Sequence, residues 1–356
     1  MTELRRDNIN ELLDEHKSQT INPSLWLQKG LKEQQEDKNT LAKGEDTPKT
    51  KHLKDIADFK APDLYKKAFN RWFNLTSDGN RFSQTVMTLE NRLLIGLTGN
   101  GALETGCSLS RNYGMPYIPG SSLKGVVRAW AEAQLFNAEY ADDLAELFGT
   151  RNSDKLDRVS GLVTFHDAWW IPQGSDKPFV LDVVTTHHQA YYNGQQDKPS
   201  DKDSPIPNHL LAVQGSFLFV LEGEAEHVAF CQTMLTHALQ SQGIGAKTAA
   251  GYGYMTLNSQ LLRSLQDEAE KRLTPEIREK RKLEEQQREQ QAENAKTVEQ
   301  VCSELKTDYE NKRGNEEYIQ KLEARIDYAI QNWNLEKRTL LASCLKKHGY
   351  IPTNKK

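Results

Sequence analysis

The spacing of apolar residues changes several times along the chain, and each change marks a predicted element. Leu53, Ile56, Ala57 and Phe59, and then Leu64, Tyr65, Ala68, Phe69, Trp72 and Phe73, recur at intervals of three and four, which sets them on one side of helical turns. A face so rich in aromatics is built for packing. Thr85 to Leu97 reads as a strand, and a helix follows from about Ser121 to Asn137 with Leu123, Val126, Val127 and Trp130 on one side. Gly161 to Trp170, Phe179 to Val184 and Leu210 to Leu221 read as three further strands. A second helix, about Ala225 to Gln242, leads to a closing strand at Gly251 to Asn258. Two strand-helix-strand units of this kind predict an α+β domain with a ferredoxin-like or RRM-like sheet.

Three regions are expected. Residues 1–84 form an N-terminal helical and loop segment that packs on the core, 85–258 the α+β domain, and 259–356 a charged helical extension. In the first, Asn8 to Lys32 leans to helix, whereas Glu33 to Thr50 is almost wholly polar, with Gly44 and Pro48 as breakers, and predicts a mobile loop. Two long insertions without periodicity, Ser110 to Tyr117 and Thr185 to Asn208, interrupt the second. In the third, Leu261 to Ala295 predicts a solvated helix broken at Pro275, or a linker. Ile319, Leu322, Ile326, Ala329, Ile330 and Trp333 then mark an amphipathic helix, and Leu340, Leu341 and Leu345 a second. So small a helical pair buries little alone and is expected to dock on its own core or on a partner subunit.

Composition narrows the function classes. The 356 residues are 37% hydrophobic and 27% charged, which suits one sizeable core with polar extensions. No apolar run reaches the length of a membrane span, and MTELRRDNINELL lacks the apolar stretch of a signal peptide, so a cytoplasmic protein without membrane contact is expected. Cys107, Cys231, Cys302 and Cys344 are scattered without CxxC spacing, which indicates neither a zinc site nor a disulfide framework. The net charge is −4, and from Val86 to Asn258 there are 11 Lys and Arg against 18 Asp and Glu, a net of −7. This argues against a broadly basic RNA surface, so any RNA contact must be concentrated in a local groove.

The cations gather at two places. The first is YGMPYIPGSSLKGVVRAW, Tyr113 to Trp130, where a Gly- and Pro-punctuated loop runs into a helix. A helix start after Gly120, Ser121 and Ser122 points free N–H groups and a positive dipole end outward, and Lys124 and Arg128 add two charges on one face. The same residues also make an ordinary capping signal with a solvated Lys/Arg pair. The second is GIGAKTAAGYGYM, Gly243 to Met255, in which Gly245 and its neighbours allow close backbone approach around Lys247. The glycine spacing is not that of a Walker A loop, which disfavours a nucleotide triphosphatase. Asp182, His187, His188, His166 and Asp167 are a conceivable metal or acid–base set, but adjacent strand residues point to opposite faces, so His187 and His188 cannot share a metal without a bend. Neither a catalytic residue nor a metal ligand is assigned, and no cofactor is implied.

RLLIGL, GMPYIPGSSLKGVVR, DVVTTHHQAYY, SPIPNHLLAV and GIGAKTAAGYG, in that order, resemble the RAMP superfamily of type III CRISPR effector complexes. The glycine-rich loop and PGSSLKG are shared across that superfamily. His187, His188, Tyr191 and Tyr192, with Ser204 to Pro207 and the early NPSLWLQKG segment, narrow the likeness to a subunit of the type III-B, or Cmr, complex. The resemblance runs to about Asn258 and implies a RAMP domain on the ferredoxin-like fold. It further implies an RNA-binding structural subunit that caps the backbone filament toward the 3′ side of the CRISPR RNA. The implied partners are CRISPR RNA, target RNA, the backbone RAMP subunit, the small helical subunit and a neighbouring capping RAMP subunit. On this reading Arg111, Tyr113, Ser121, Ser122, Lys124, Arg128, His187, His188, Tyr191, Tyr192, Gly245 and Lys247 form the RNA-binding set. Insertions of the family reach over guide and target RNA, and Tyr113, Tyr191 and Tyr192 either stack on bases or plug their loops onto the sheet. Target cleavage in the family uses an aspartate of the backbone subunit, and no residue of this chain is assigned to that role. The alternatives are a metal-independent endoribonuclease acting on CRISPR RNA through His187 or His188, and a protein-only assembly scaffold.

Overall fold

Alternating strand residues build the centre of the molecule. The computed structural model describes residues 2–7, 9–11, 21–34, 47–98, 103, 105–134, 140–150, 160–172, 177–201, 203, 206–273, 279, 283, 286–287, 300–303, 305–306, 309, 315–347 and 350. Its strands are β1 (Thr2–Glu3), β2 (Glu33–Gln34), β3 (Phe82–Leu89), β4 (Tyr117–Ile118), β5 (Thr164–Phe165), β6 (Ala168–Trp170), β7 (Phe179–Thr186), β8 (Ile206–Val213), β9 (Ser216–Glu222) and β10 (Met255–Leu257). The main sheet runs β10-β3-β9-β6-β4, antiparallel throughout, with β5 also on β9. In chain order β3, helix Gly120–Gln134, β5 with β6, β9, helix Ala225–Ser241 and β10 place the last strand beside the first and the third between the first and second. This is the expected ferredoxin-like, RRM-like α+β arrangement.

Strand boundaries depart from expectation where glycines intervene. Leu210 to Leu221 is not one strand: Gly215, at φ +102°, breaks it into β8 and β9. β8 instead pairs with β7 along eight residues to make a separate hairpin, so the irregular insertion is shorter than Thr185 to Asn208. Thr85 to Leu97 likewise ends its ladder at Leu89, after which Leu93 exchanges both backbone hydrogen bonds with Val213 of that hairpin, at 2.8 and 2.9 Å. Pro48, expected as a breaker, occupies the first turn of helix Pro48–Ala57, where its missing N–H costs nothing, and Thr47 caps it. Of the Asn8 to Lys32 stretch, Pro23–Lys29 is helical, with Asn22 Oδ1 accepting from the Ser24 N–H at 2.8 Å, while residues 12–20 lie outside the described residues, as do 35–46 of the expected loop.

Both faces of the sheet are buried. Phe217, Phe219 and Leu221 of β9 and Met87 of β3 pack on Leu123, Val127 and Ala131 of one helix and Leu235, Ala238 and Leu239 of the other. The alternate residues Val86, Leu218 and Val220 meet Phe69 and Phe73 of helix Asp63–Leu75, together with Leu265 of helix Ser259–Arg272. The polar stretch after Leu261 is thus not solvated at its start, because Leu261, Leu262, Leu265 and Ala269 recur at helical spacing and line one face. Asn258 begins that helix by accepting the Leu261 N–H at 2.9 Å while its amide donates to Thr88 Oγ1 at 3.0 Å. By contacts the chain divides into two compact units, Met1–Ala269 and Glu270–Lys356. In the second, Leu322, Ile326 and Ala329 of helix Glu316–Asn332 cluster with Leu341 and Leu345 of helix Leu335–Lys347 and with Val301, Leu305 and Tyr350.

His52 is buried within the N-terminal segment. It is 5% exposed, lies 5.5 Å ring to ring from Trp26, and its Nε2 has no hydrogen-bond partner. Burial, aided by the nearby Arg5 charge, lowers its pKa from 6.5 to about 4. The unfolded chain therefore binds a proton between those values that the folded chain refuses, so stability falls as pH drops through that window, by up to about 1.4 kcal/mol per unit. Chemical denaturation from pH 7 to pH 4 is expected to show that slope in the native chain and a flatter one in His52→Leu.

Candidate functional site

The helix Gly120–Gln134 is set on the sheet by its first residue. Gly120 lies so close to β5 that a Cβ there would run into the Phe165 carbonyl, and its N–H donates to Asp167 Oδ1 at 2.8 Å. The carboxylate that a helix start attracts is thus partly supplied from within the chain. Ser121 and Ser122 remain exposed at the mouth, and the Ser122 N–H bonds the Pro119 carbonyl at 2.9 Å. Lys124 is half-buried and faces helix Ala225–Ser241, where its charge pulls down the Cys231 thiol that burial pushes up to about 12. Arg128 is engaged by the protein: Nε bonds Glu132 Oε1 at 2.9 Å, and a terminal nitrogen bonds the Gly149 carbonyl at 2.7 Å, tying in helix Ala141–Phe148.

The glycine-rich loop is fastened to the chain leaving β3. Ala246 N–H bonds the Leu94 carbonyl at 2.7 Å, Gly253 N–H the Arg92 carbonyl at 2.8 Å, and Ile244 N–H the Gly253 carbonyl at 3.0 Å. Gly245, at φ +93°, has no room for a Cβ beside the Leu94 carbonyl, and Gly253, at φ +79°, has none beside the carbonyl of Ile244. Lys247 is exposed and is the non-glycine residue with positive φ among those described, at 59°. A lysine held left-handed costs about 1 kcal/mol, which the surrounding bonds sustain.

Arg111 and Tyr113 lie on a third feature, a cavity of about 350 Å³ whose walls include Gln28, Tyr65, Asp167 and Trp169. Arg111 is exposed, with its carbonyl accepting from Asn22 Nδ2 at 2.9 Å. Tyr113 is half-buried, 5.7 Å from Tyr65 and 5.9 Å from Trp169 between ring centroids. Asp167 therefore borders both the helix start and this cavity. In sequence its side chain suggests only an acid or a ligand. The missing signal is the 47-residue separation between Gly120 and Asp167, which no local motif encodes.

The histidines beyond the hairpin disperse. His188 Nδ1 and the Ser200 N–H both bond Asp203 Oδ2, at 3.0 and 3.1 Å, and these hydrogen bonds hold the Asp203 carboxyl below its ordinary range. His187 is exposed, its ring 6.4 Å from that of His188. Asp182 is occupied elsewhere: burial alone would raise its pKa, but Arg92 at 2.9 Å, the Val183 N–H and the Tyr252 hydroxyl at 3.0 Å lower it. His166 Nε2 sits 2.8 Å from Glu222 Oε2. Among the described residues no three His, Cys, Asp or Glu side chains converge on a metal position. Tyr191 and Tyr192 are 41% and 71% exposed, so neither plugs the loop onto the sheet. No helix among the described residues is long and apolar enough to cross a membrane.

Residues 85–256 match the model of the RAMP superfamily. The chain carries a RAMP domain. It is 28% identical over 257 residues to a protein of Pyrococcus furiosus named CRISPR system Cmr subunit Cmr6, covering 54% of this chain and 73% of that one. A Cmr6 subunit of Saccharolobus solfataricus is 28% identical over 177 residues, covering 48% of this chain and 56% of that one. Among solved structures, a chain of the type III-B Cmr-beta complex bound to cognate target RNA aligns with a TM-score of 0.50 and 23% identity, covering 64% of this chain and 77% of that one, which is a likeness of fold. The glycines of the RAMP loop have a fixed structural duty here. Gly253→Ala is expected to destabilise the chain by about 2 kcal/mol or more, since strain at positive φ adds to the collision with Ile244. A thermal midpoint lowered further than in Gly251→Ala, which carries the positive-φ strain at +88° but meets open space, checks the part due to the collision.

Proposed function

We propose that the chain is a non-catalytic, RNA-binding subunit of a type III-B CRISPR ribonucleoprotein. In this reading it caps the filament of backbone RAMP subunits toward the 3′ side of the CRISPR RNA, contacts its neighbouring Cmr subunits, and assists target RNA binding. The observation that carries the reading is the 28% identity over 257 residues to a Cmr6 subunit. The fold supports a path for RNA at the edge of the domain. An RRM-like sheet normally offers an open face to bases, but here both faces are covered, so RNA is left with the loops and helix starts around the domain. Arg111, Ser121, Ser122, Lys124, Gly245 and Lys247 are proposed to hold guide phosphates, with Tyr113, Tyr191 and Tyr192 available for stacking and His187 and His188 at the hairpin tip. Arg128 contributes by fixing the helix that carries Lys124, since its Nε and one terminal nitrogen are engaged by Glu132 and Gly149.

Phosphate contacts leave a salt signature. For single-stranded RNA each one contributes about −0.7 to the slope of log affinity against log salt. Lys124→Ala combined with Lys247→Ala is expected to weaken guide RNA retention and flatten that slope by about 1.4 units. An unchanged slope in filter-binding titrations from 50 to 300 mM salt contradicts the assignment.

A further inference from the structure

The cavity beside the start of helix Gly120–Gln134 has a chemistry of its own. Its volume of about 350 Å³ is at the small end for ligand sites and suits a fragment of the size of one nucleoside. Three rings make its walls: Tyr65 is stacked on Trp169 at 5.7 Å and 13°, and Tyr113 stands edge-on to Tyr65. Tyr65 is rigid, 2% exposed with its hydroxyl bonded to the Trp170 carbonyl at 2.5 Å, so the slot is pre-formed. Two charges of opposite sign flank the rings. Asp167 is fixed by its bond through Oδ1 to the Gly120 N–H, which leaves Oδ2 as an acceptor. Arg111 is exposed on the same wall, and among the described residues its guanidinium has no ion-pair partner. The amide of Gln28 supplies a further donor and acceptor.

From this combination of aromatic slot, fixed carboxylate and open guanidinium, we infer that the cavity receives a single unstacked nucleobase bearing an exocyclic amine. The ring packs on Tyr113, which Tyr65 and Trp169 back from within the core, the amine of cytosine or adenine donates to Asp167, and Arg111 takes the adjoining phosphate. Uracil presents a carbonyl oxygen where cytosine presents the amine, and that oxygen faces the carboxylate unfavourably. The chain would thus add a base preference at one guide or target position to an otherwise sequence-blind grip. This rests on the RNA-binding reading above.

Fluorescence-anisotropy titration of the full chain with ten-nucleotide oligo(C) and oligo(U) separates the two claims. The expected result is that oligo(C) binds about tenfold more tightly than oligo(U), and that Asp167→Asn brings the two within twofold of one another. The asparagine keeps an oxygen for the Gly120 N–H, so the helix start is preserved. Tyr113→Leu, which keeps bulk but loses the π-face, is expected to weaken oligo(C) about tenfold. Equal, salt-dependent binding of both oligonucleotides by the native chain overturns the base pocket and leaves the phosphate grip standing. A preference that persists in Asp167→Asn also overturns it. Binding of neither oligonucleotide overturns the pocket and the RNA-binding reading together.

Discussion

Strand β9 buries five consecutive side chains, Phe217 to Leu221, each no more than 2% exposed. A strand with water on one face would alternate apolar and polar residues, so the continuous run demands cover on both sides. Helices Gly120–Gln134 and Ala225–Ser241 supply one cover, and Asp63–Leu75 with Ser259–Arg272 supply the other. At about 25 cal/mol per Å² of apolar area, stripping either layer would expose several large side chains and cost more than a typical domain can lose. The helices before and after the RAMP domain are therefore part of its core.

That two-sided burial governs where chemistry can occur. With the sheet closed, polar groups able to meet a ligand sit in the connections that leave it: the loop of Arg111 and Tyr113, the start of the Gly120 helix, the glycine-rich loop and the hairpin tip. These are not loose. Gly245 and Gly253 let the loop close on the carbonyls of Leu94 and Ile244, and Asp182 is gripped from both sides by Arg92 and Tyr252. Placement on a rigid frame lets a chain with a net charge of −4 present a few cations at set positions. A carboxylate, Asp167, is held among them by the Gly120 N–H.

The helices were legible because their apolar residues repeat at three and four, as in Tyr65, Phe69 and Phe73, and the α+β order followed from them. Leu210 to Leu221 misled because apolar residues flank Gln214, Gly215 and Ser216 on both sides, whereas the positive φ of Gly215, where a Cβ would meet the Trp170 ring, ends the strand there. Helix Ser259–Arg272 is legible as a helix, but its many charges hide the packing face that Leu261, Leu262 and Leu265 form. At the candidate site, Gly120 and Lys247 announced themselves by composition. The partners that decide their surroundings did not: Asp167 reaches Gly120 across 47 residues, and Arg128 finds the Gly149 carbonyl across 21. Such pairings exist only once the sheet has formed.

The central claim is that RNA runs along the connections of the RAMP domain, not over its sheet and not along the charged extension. Ultraviolet crosslinking of the complex assembled on a guide RNA, followed by mass spectrometry of the crosslinked peptides of this chain, tests it most directly. The account predicts crosslinks within residues 111–128 and 243–255. Crosslinks confined to residues 259–356, with none in those two stretches, would contradict it and reduce the Gly120 and glycine-loop features to internal packing.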